Sequence, residues 1–297
     1  MQADTIFGKS RSKSFTASLM GAVFTVCGLA AVIFVVCLSA YMVIAGVPGI
    51  AKIGVVDFLF GRVWDPNQDL FGILPMIAGS MIAVFVAVAV ALPLGVLVAV
   101  YLAKLAPKWL SGPLNGLIEL LAGIPSVVYG LLGATLIAPI IFGFQASAGL
   151  PKSGCLLSAI VILIIMILPT IISVSETSIL AVPKQYEDAA LALGSTQLQS
   201  IFRVVVPAAR SGIVAGMVLG VGRAIGEAMA VMMVAGNVAN MPSFLKPVRL
   251  MTVSIPMEWA YSSGLHREAL SGIGLVLFCF IMVVNIILNG VIKRGGD

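Results

Sequence analysis

The stretch VPKQYEDAALALGSTQLQSIFRVVVPAARSG, residues 182–212, is a polar interruption in a chain that consists mostly of apolar runs. Residues 184–193 are built from good helix formers, and Gly194 can close that helix. Ser195 can cap a second helix through residue 202, and Pro207 marks its end. The stretch therefore predicts two short helices, although a simple tether between two membrane spans would need none. An amphipathic hairpin on the membrane surface is one interpretation of it.

The rest of the chain has the composition of a membrane protein. Hydrophobic residues make up 60% of its 297 residues, charged residues only 10%, and the mean hydropathy is +1.15. A transmembrane helix crosses about 30 Å of hydrocarbon with about 20 apolar residues. The sequence therefore predicts an all-α polytopic membrane protein with six transmembrane helices. The six apolar runs are residues 19–45, 73–103, 114–144, 155–174, 212–236 and 270–292.

The distribution of basic residues predicts the orientation. Ten of them fall in segments that are cytoplasmic if the amino terminus is inside, and six fall in outer segments. This bias predicts that both termini lie in the cytoplasm. Residues 1–18 would form a cytoplasmic segment, residues 19–297 the transmembrane domain, and residues 183–210 a cytoplasmic two-helix loop between helices 4 and 5. The net charge of +5 mostly reflects this topology, and no basic run with interleaved aromatic residues indicates nucleic-acid binding.

Residue types that carry catalysis or bind metals are scarce. The four cysteines lie in or beside apolar runs without metal-ligand spacing. His266 is the only histidine, and its setting, SGLHREAL, favours a solvated residue at a helix start. FGKS at residues 7–10 lacks the first glycine and the preceding strand of a phosphate-binding loop. The sequence thus predicts no catalytic residue, no metal site, no cofactor and no nucleotide site.

Two charges stand inside the fifth apolar run, VLGVGRAIGEAMAVMMV, residues 218–234. If this helix enters hydrocarbon near residue 213, Arg223 lies about 15 Å and Glu227 about 21 Å into the membrane. Four residues apart on one helix, they would share a face. Ionisable residues at this depth are functional by default, which favours a substrate pathway. A mutual ion pair that offsets the cost of insertion is the structural alternative.

Small residues and prolines mark two other features of the apolar runs. Gly212, Gly216 and Gly220 recur every four residues and continue through two alanines as a ridge, which predicts close packing against a neighbouring helix. In GIPSVVYG, residues 123–130, a proline flanked by glycines stands beside Ser126 and Tyr129. Such a break could open backbone and hydroxyl groups to a pathway, or could be a simple kink.

The polar loop resembles the EAA loop of permease subunits of ATP-binding-cassette importers. That pattern is Glu-Ala-Ala, three residues, Gly, nine residues, and Ile-x-Leu-Pro. The corresponding residues here are Asp188, Ala189, Ala190, Gly194 and Pro207, with Glu187 beside the aspartate that replaces the first glutamate, and with valines in place of Ile and Leu. The resemblance implies that this loop docks on a cytoplasmic ATPase. Small alanines would let the helix seat closely, and the glycine would allow a sharp reversal.

Further stretches resemble the C-type permease subunits of phosphate-specific Pst importers. They are FGRVWDPNQDLFGILPMIAGS at residues 60–80, IELLAGIPSVVYGLLG at 118–133, GVGRAIGEAMAVMMVAGN at 220–237 and SGLHREALSGIGLVLF at 263–278. The resemblance implies a phosphate importer in the inner membrane, in which this chain is a transport subunit and not an enzyme. Its implied partners are a homologous A-type permease, a pair of ATPase subunits that hydrolyse ATP in the cytoplasm, and a periplasmic phosphate-binding protein.

Other functional classes remain as alternatives. A permease could carry another oxyanion. A secondary anion transporter could also use an Arg-Glu pair, but it would not need a two-helix loop with this pattern. An integral-membrane phosphatase or transferase would need acids, histidines or nucleophiles gathered at one interface, and the sequence offers no such cluster.

Overall fold

The computed structural model describes residues 11–295. Residues 1–10 of the predicted cytoplasmic segment 1–18 therefore lie outside the described residues. The described chain is helical apart from connecting segments and one short hairpin of strands β1, Trp64–Asp65, and β2, Leu70–Phe71. The helices are α1 Arg11–Ile53, α2 Val55–Phe60, α3 Leu74–Val100, α4 Lys108–Gly123, α5 Ser126–Leu132, α6 Ala138–Ser147, α7 Leu156–Leu180, α8 Lys184–Ala192, α9 Gln197–Ser200, α10 Val206–Ala208, α11 Arg210–Gly226, α12 Met229–Val234, α13 Met251–Glu258 and α14 Gly264–Gly295.

The length and composition of the helices agree with a polytopic membrane protein. Five described stretches could each cross a membrane: Ser18–Ile53, Leu74–Leu105, Ser126–Ser147, Leu156–Leu180 and Gly264–Leu288. A sixth span is available if Gln197–Ala208 and Arg210–Gly226, which meet at a bend of 67°, are taken together. The mostly helical membrane architecture is therefore confirmed, with five or six spans, and the hairpin is an addition that the sequence did not predict.

The third predicted span, residues 114–144, is not one continuous helix. α4 ends at Gly123 and α5 begins at Ser126, with extended backbone between them. Pro125 has no N–H, so the carbonyl of Leu121 loses its helical donor. The hydroxyl of Tyr129 supplies the missing donor at 2.6 Å from that carbonyl. The break is thus built into the fold by a proline and by the tyrosine that compensates for it.

The fifth predicted span, residues 212–236, is also wrong as a single helix. α11 ends at Gly226, Glu227 has extended backbone, and α12 begins at Met229. Glu227 Oε1 accepts a hydrogen bond from the backbone N–H of Ala230 at 2.8 Å. The Glu227 carbonyl accepts one from Thr252 Oγ1 at 2.9 Å. Both bonds satisfy backbone groups that the break releases, as a low-dielectric environment requires.

The glycine ridge of α11 packs against α7 of the same chain. A Cβ atom added at Gly216 would lie 3.2 Å from Cβ of Val174, and one at Gly220 would lie 3.0 Å from Cγ1 of Ile171. At Gly212 it would collide with Ser178. The predicted close helix contact is therefore present, and the neighbouring helix belongs to this subunit. Substitutions on the ridge should affect folding of the subunit before they affect its assembly with others.

This packing gives a matched pair of variants. Gly220→Leu should lower the free energy of unfolding by about 1–3 kcal/mol, because the added side chain has to displace Ile171. Gly222→Leu on the same helix should cost much less, because a Cβ there meets nothing within 4 Å. The thermal stability of the isolated subunit in detergent measures both. Equal loss in the two variants would contradict the α7 contact.

Candidate functional site

Arg223 is the charged residue in the interior of α11, and it lies one turn before the helix break. Its side chain is half-buried, and one of its N–H groups donates to Thr170 Oγ1 of α7 at 3.1 Å. A guanidinium has five N–H donors. Within the described residues, the hydrogen bond to Thr170 is the one that its side chain makes, so further donors are available to an anion.

A second glycine face of α11 lies beside Arg223. Added Cβ atoms at Gly222 and Gly226 would meet nothing within 4 Å, and Leu219 is 55% exposed. These three residues share one side of the helix, and Arg223 flanks it. The described chain leaves this side uncovered, whereas the first glycine ridge is filled by α7. α11 therefore packs against α7 on one side and leaves the adjoining side open, with Arg223 at the boundary between the two.

Glu227 does not share a helix face with Arg223, although the helical spacing predicts that it does. It is buried, it lies outside α11, and its carboxylate bonds to the start of α12. Among the ion pairs of the described residues, none joins it to Arg223. The expected shared helix face is therefore wrong, because the chain turns out of helical geometry at Glu227. The structural alternative of a mutual ion pair loses its support for the same reason.

Ser126 and Tyr129 belong to the other helix break, and the two breaks lie close together. α5 packs against α12, where an added Cβ at Gly130 would lie 3.0 Å from Cα of Ala230. Tyr129 is buried and uses its one hydroxyl hydrogen on Leu121. Ser126 is half-buried in the first turn of α5. The structure thus brings Arg223, Glu227 and the Tyr129 break into one region of the fold.

The polar loop folds as two helical segments, as predicted. α8 covers Lys184–Ala192, and Gly194 turns the chain with φ of +87°, a conformation that favours glycine. The capping residue of the second segment is Thr196, not Ser195. Thr196 and Gln199 form a reciprocal capping box. Ser195 instead donates its hydroxyl hydrogen to the carbonyl of Ala190 at 2.7 Å.

The second segment of the loop is longer than predicted and does not end at residue 202. A π-helical turn, Ile201–Val205, follows α9 and continues into α10, which ends at Ala208. Pro207 lies in α10. Because proline has no N–H, a carbonyl group of the preceding turn lacks its helical hydrogen-bond donor. Ile201 and Val205 are fully buried beside the ends of α3 and α7. The loop is therefore anchored in the transmembrane core and bends by 67° into α11.

The acidic residues of the loop face in different directions. Asp188 and Ala189 are exposed, and Ala190 is half-buried. Glu187 Oε2 lies 2.7 Å from Nζ of Lys104, in the π-helical turn Tyr101–Leu105 that follows α3. The residues available to an external partner are thus Asp188 and Ala189, near Leu193, which is 90% exposed.

A polar cluster at the other end of the molecule was not predicted. The carboxylate of Glu258 accepts a hydrogen bond from Nε1 of Trp64 at 3.0 Å, lies 2.9 Å from Nε2 of His266, and forms an ion pair with Arg249. His266 also stacks on Phe71 of the hairpin. The prediction of a solvated histidine at a helix start is correct for the helix and wrong for the solvation. The cluster joins the hairpin, α13 and α14.

This cluster predicts a dependence on pH. Burial alone would raise the pKa of the Glu258 carboxyl, but the His266 hydrogen bond, the Arg249 charge and the Trp64 hydrogen bond together lower that pKa below its ordinary value. A lowered folded-state pKa stabilises the fold above the ordinary value, about 4.3, and this contribution is lost as pH falls through the folded pKa.

We expect Glu258→Gln to lower the melting temperature at pH 7, and we expect the difference from wild type to shrink as the pH falls below about 4. Thermal unfolding in detergent between neutral and acidic pH measures it. Glu268→Gln is the control, because its carboxylate pairs with Lys52, which is 58% exposed. A difference for Glu258→Gln that stays constant with pH would contradict the stabilising role of the ionised carboxylate.

Several residues of these sites carried no usable local signal. Thr170 follows a proline in an apolar run, and Lys104 directly follows the end of another apolar run. Glu258 lies in a short outer segment. Their partners are 53, 83 and up to 194 residues away. Only the fold identifies such pairs.

Broken membrane helices around a half-buried arginine, together with an anchored two-helix loop that projects small and acidic residues, suit a transport protein of the permease class. The sequence model of the family described as "Binding-protein-dependent transport system inner membrane component" matches residues 91–294. The chain belongs to this family, and it is a multi-pass protein of the inner membrane.

Relatives over most of the chain support this assignment. The chain is 34% identical over 274 residues to the "Probable ABC transporter permease protein YqgH" of Bacillus subtilis, which covers 89% of this chain and 88% of the relative. It is 35% identical over 256 residues, 80% of each chain, to the "Phosphate transport system permease protein PstC" of Pasteurella multocida. It is 31% identical over 284 residues, 89% of each chain, to the "Probable phosphate transport system permease protein PstC" of Methanocaldococcus jannaschii.

Solved transporter structures share the fold. A bacterial alginate ABC transporter in complex with its periplasmic protein matches with a TM-score of 0.64 and 13% identity, over 94% of this chain and 97% of that chain. The MetNI methionine ABC transporter in an inward-facing conformation matches with a TM-score of 0.56 and 18% identity, over 78% and 99%. At these identities the likeness concerns the fold alone.

Proposed function

We propose that this chain is the C-type permease subunit of an ATP-driven importer of inorganic phosphate. The observation that carries the proposal is the half-buried guanidinium of Arg223, which lies beside an uncovered glycine face at a helix break. A guanidinium offers planar, bidentate donors that stay charged at any working pH, which suits phosphate. Relatives named as phosphate transport permeases over 80% and more of the chain support the same cargo.

The proposed topology places both termini in the cytoplasm. Residues 1–18 form a cytoplasmic segment, residues 19–297 form the permease domain, and residues 183–210 form a cytoplasmic coupling loop. The partners are a homologous A-type permease across the open face of α11, a cytoplasmic pair of ATPase subunits under the coupling loop, and a periplasmic phosphate-binding protein. Membrane lipid surrounds the exposed apolar helices.

Each site residue has a proposed role. In the substrate pathway, Arg223 binds the anion, and Glu227 keeps α12 in place and accepts a hydrogen bond from a protonated phosphate oxygen. Tyr129 is a positioning residue that maintains the break, and Ser126 offers a hydroxyl at the start of α5. Together they would hold the anion weakly enough for passage. The proposed ATPase contact and its supports are Glu187, Asp188, Ala189, Ala190, Gly194 and Pro207.

The proposal is tested with the complete complex in liposomes. Labelled phosphate should accumulate only with ATP and binding protein present, and excess sulfate or molybdate should compete poorly. Strong competition by either anion would indicate a permease for another oxyanion. Uptake that continues without ATPase subunits and stops when the ion gradient is collapsed would indicate a secondary anion transporter instead.

A further inference from the structure

The two adjacent acids of the coupling loop have different surroundings. Glu187 and Asp188 are neighbours on α8, so their side chains leave the helix about 100° apart. The side chain of Glu187 is 14% exposed and points toward the transmembrane helices. Asp188 is exposed. A single acidic pair in the sequence therefore provides one inward and one outward carboxylate.

The inward carboxylate is tied to the end of α3. Glu187 Oε2 and Lys104 Nζ are 2.7 Å apart, and the Lys104 side chain is only 16% exposed. Lys104 lies in the π-helical turn Tyr101–Leu105 that ends α3. A charge with so little exposure to water is costly without its partner, so the two side chains hold α8 and α3 together more firmly than a surface ion pair would.

A continuous set of contacts leads from this pair to the substrate region. Val100 and Leu102 are buried in one cluster with Ile201 of the loop. α3 packs along α7, and Thr170 of α7 holds the guanidinium of Arg223. A displacement of α8 would therefore move Lys104 first. It would reach Arg223 through α3 and α7, which pack against each other.

We propose that Lys104 is a positioning residue for energy coupling, whose ion pair with Glu187 transmits the movement of α8 to α3, while Asp188 contacts the ATPase. The inference rests on the proposed function, because it needs an ATPase that moves α8. It assigns the docking role to the aspartate of the pattern and an internal role to the preceding glutamate.

The test measures phosphate transported per ATP hydrolysed in reconstituted complexes. Lys104→Glu and Glu187→Lys should each lower this ratio about tenfold, and the double exchange should restore most of it. Lys108→Glu is the control, because Lys108 is exposed and takes part in none of the ion pairs of the described residues. Recovery of the ATPase subunits with each purified variant shows that assembly persists.

A double variant in which both side chains are neutral tests the inference even if the single variants fail to fold. Lys104→Met combined with Glu187→Gln leaves no unpaired buried charge, so the subunit should insert and assemble. We expect this double variant to hydrolyse ATP with a lowered transport ratio. A wild-type ratio would overturn the inference, as would a double charge exchange that stays as uncoupled as the assembled single variants. A wild-type complex that imports no phosphate would instead refute the proposed function.

Discussion

Replacing Arg223 with glutamine should lower ATP-driven phosphate uptake at least about a hundredfold. The two charge-assisted hydrogen bonds that we propose between its guanidinium and the anion, each worth about 1.5–3 kcal/mol, would be lost or weakened. Arg223→Lys should recover only part of the rate, since an ammonium keeps the charge but lacks the planar fork. Initial rates of labelled phosphate uptake by the reconstituted complex measure both variants.

Two controls separate a transport role from a structural one. Arg210→Gln removes an exposed arginine at the start of the same helix and should leave uptake near the wild-type rate. Thr170→Val removes the hydrogen bond that holds Arg223 but keeps the guanidinium, so it should cost only a few-fold. Wild-type uptake by an assembled Arg223→Gln complex would refute the role in the pathway. Arg223 would then be a residue that fixes α11 to α7.

The break at Glu227 explains how that residue should be tested. Glu227→Gln keeps an oxygen that can accept from the N–H of Ala230, so α12 should retain its position. Any change in the preference for phosphate over sulfate is then due to the loss of the carboxylate charge. Glu227→Leu removes the acceptor as well, so its loss of function would combine the charge with the disturbed helix start.

The apolar runs predict the membrane architecture well because the length and hydropathy of a span are local properties. The break at Pro125 has a local signal in the missing N–H, although the compensating hydroxyl of Tyr129 is visible only in the fold. The break at Glu227 has no proline, and it depends on Thr252, which lies 25 residues away. A prediction based on the helical period alone therefore extends the helix through Glu227.

The same limit applies to contacts between helices. Glycine spacing predicts a close approach along α11, but only the structure identifies α7 as the partner and shows the second, uncovered glycine face. The loop pattern identifies the helices and the turn at Gly194, because those features depend on residues within ten positions. It does not distinguish the inward Glu187 from the outward Asp188, since that difference depends on Lys104.

Placing tryptophan at Ala189 should lower phosphate transported per ATP by about 5-fold to 150-fold, because overfilling a close contact costs about 1–3 kcal/mol. Ala189 is exposed beside Asp188, so the added ring should spare the fold of the subunit and, under the proposed docking, would meet the ATPase surface. Ala189→Arg should act similarly. Ala190 is half-buried, and a large residue there would also disturb the loop, so it is the less informative site.

The matched control is Lys108→Trp, which adds the same ring at an exposed position of α4 outside the coupling loop. We expect this variant to keep the wild-type ratio of transport to hydrolysis. Membrane insertion and recovery of the permease partner should be normal for both variants, because neither position belongs to a buried cluster. If the Ala189→Trp complex couples ATP hydrolysis to uptake as well as the Lys108→Trp complex does, the exposed face of α8 is not where the ATPase docks, and the small residues of the pattern serve the loop alone.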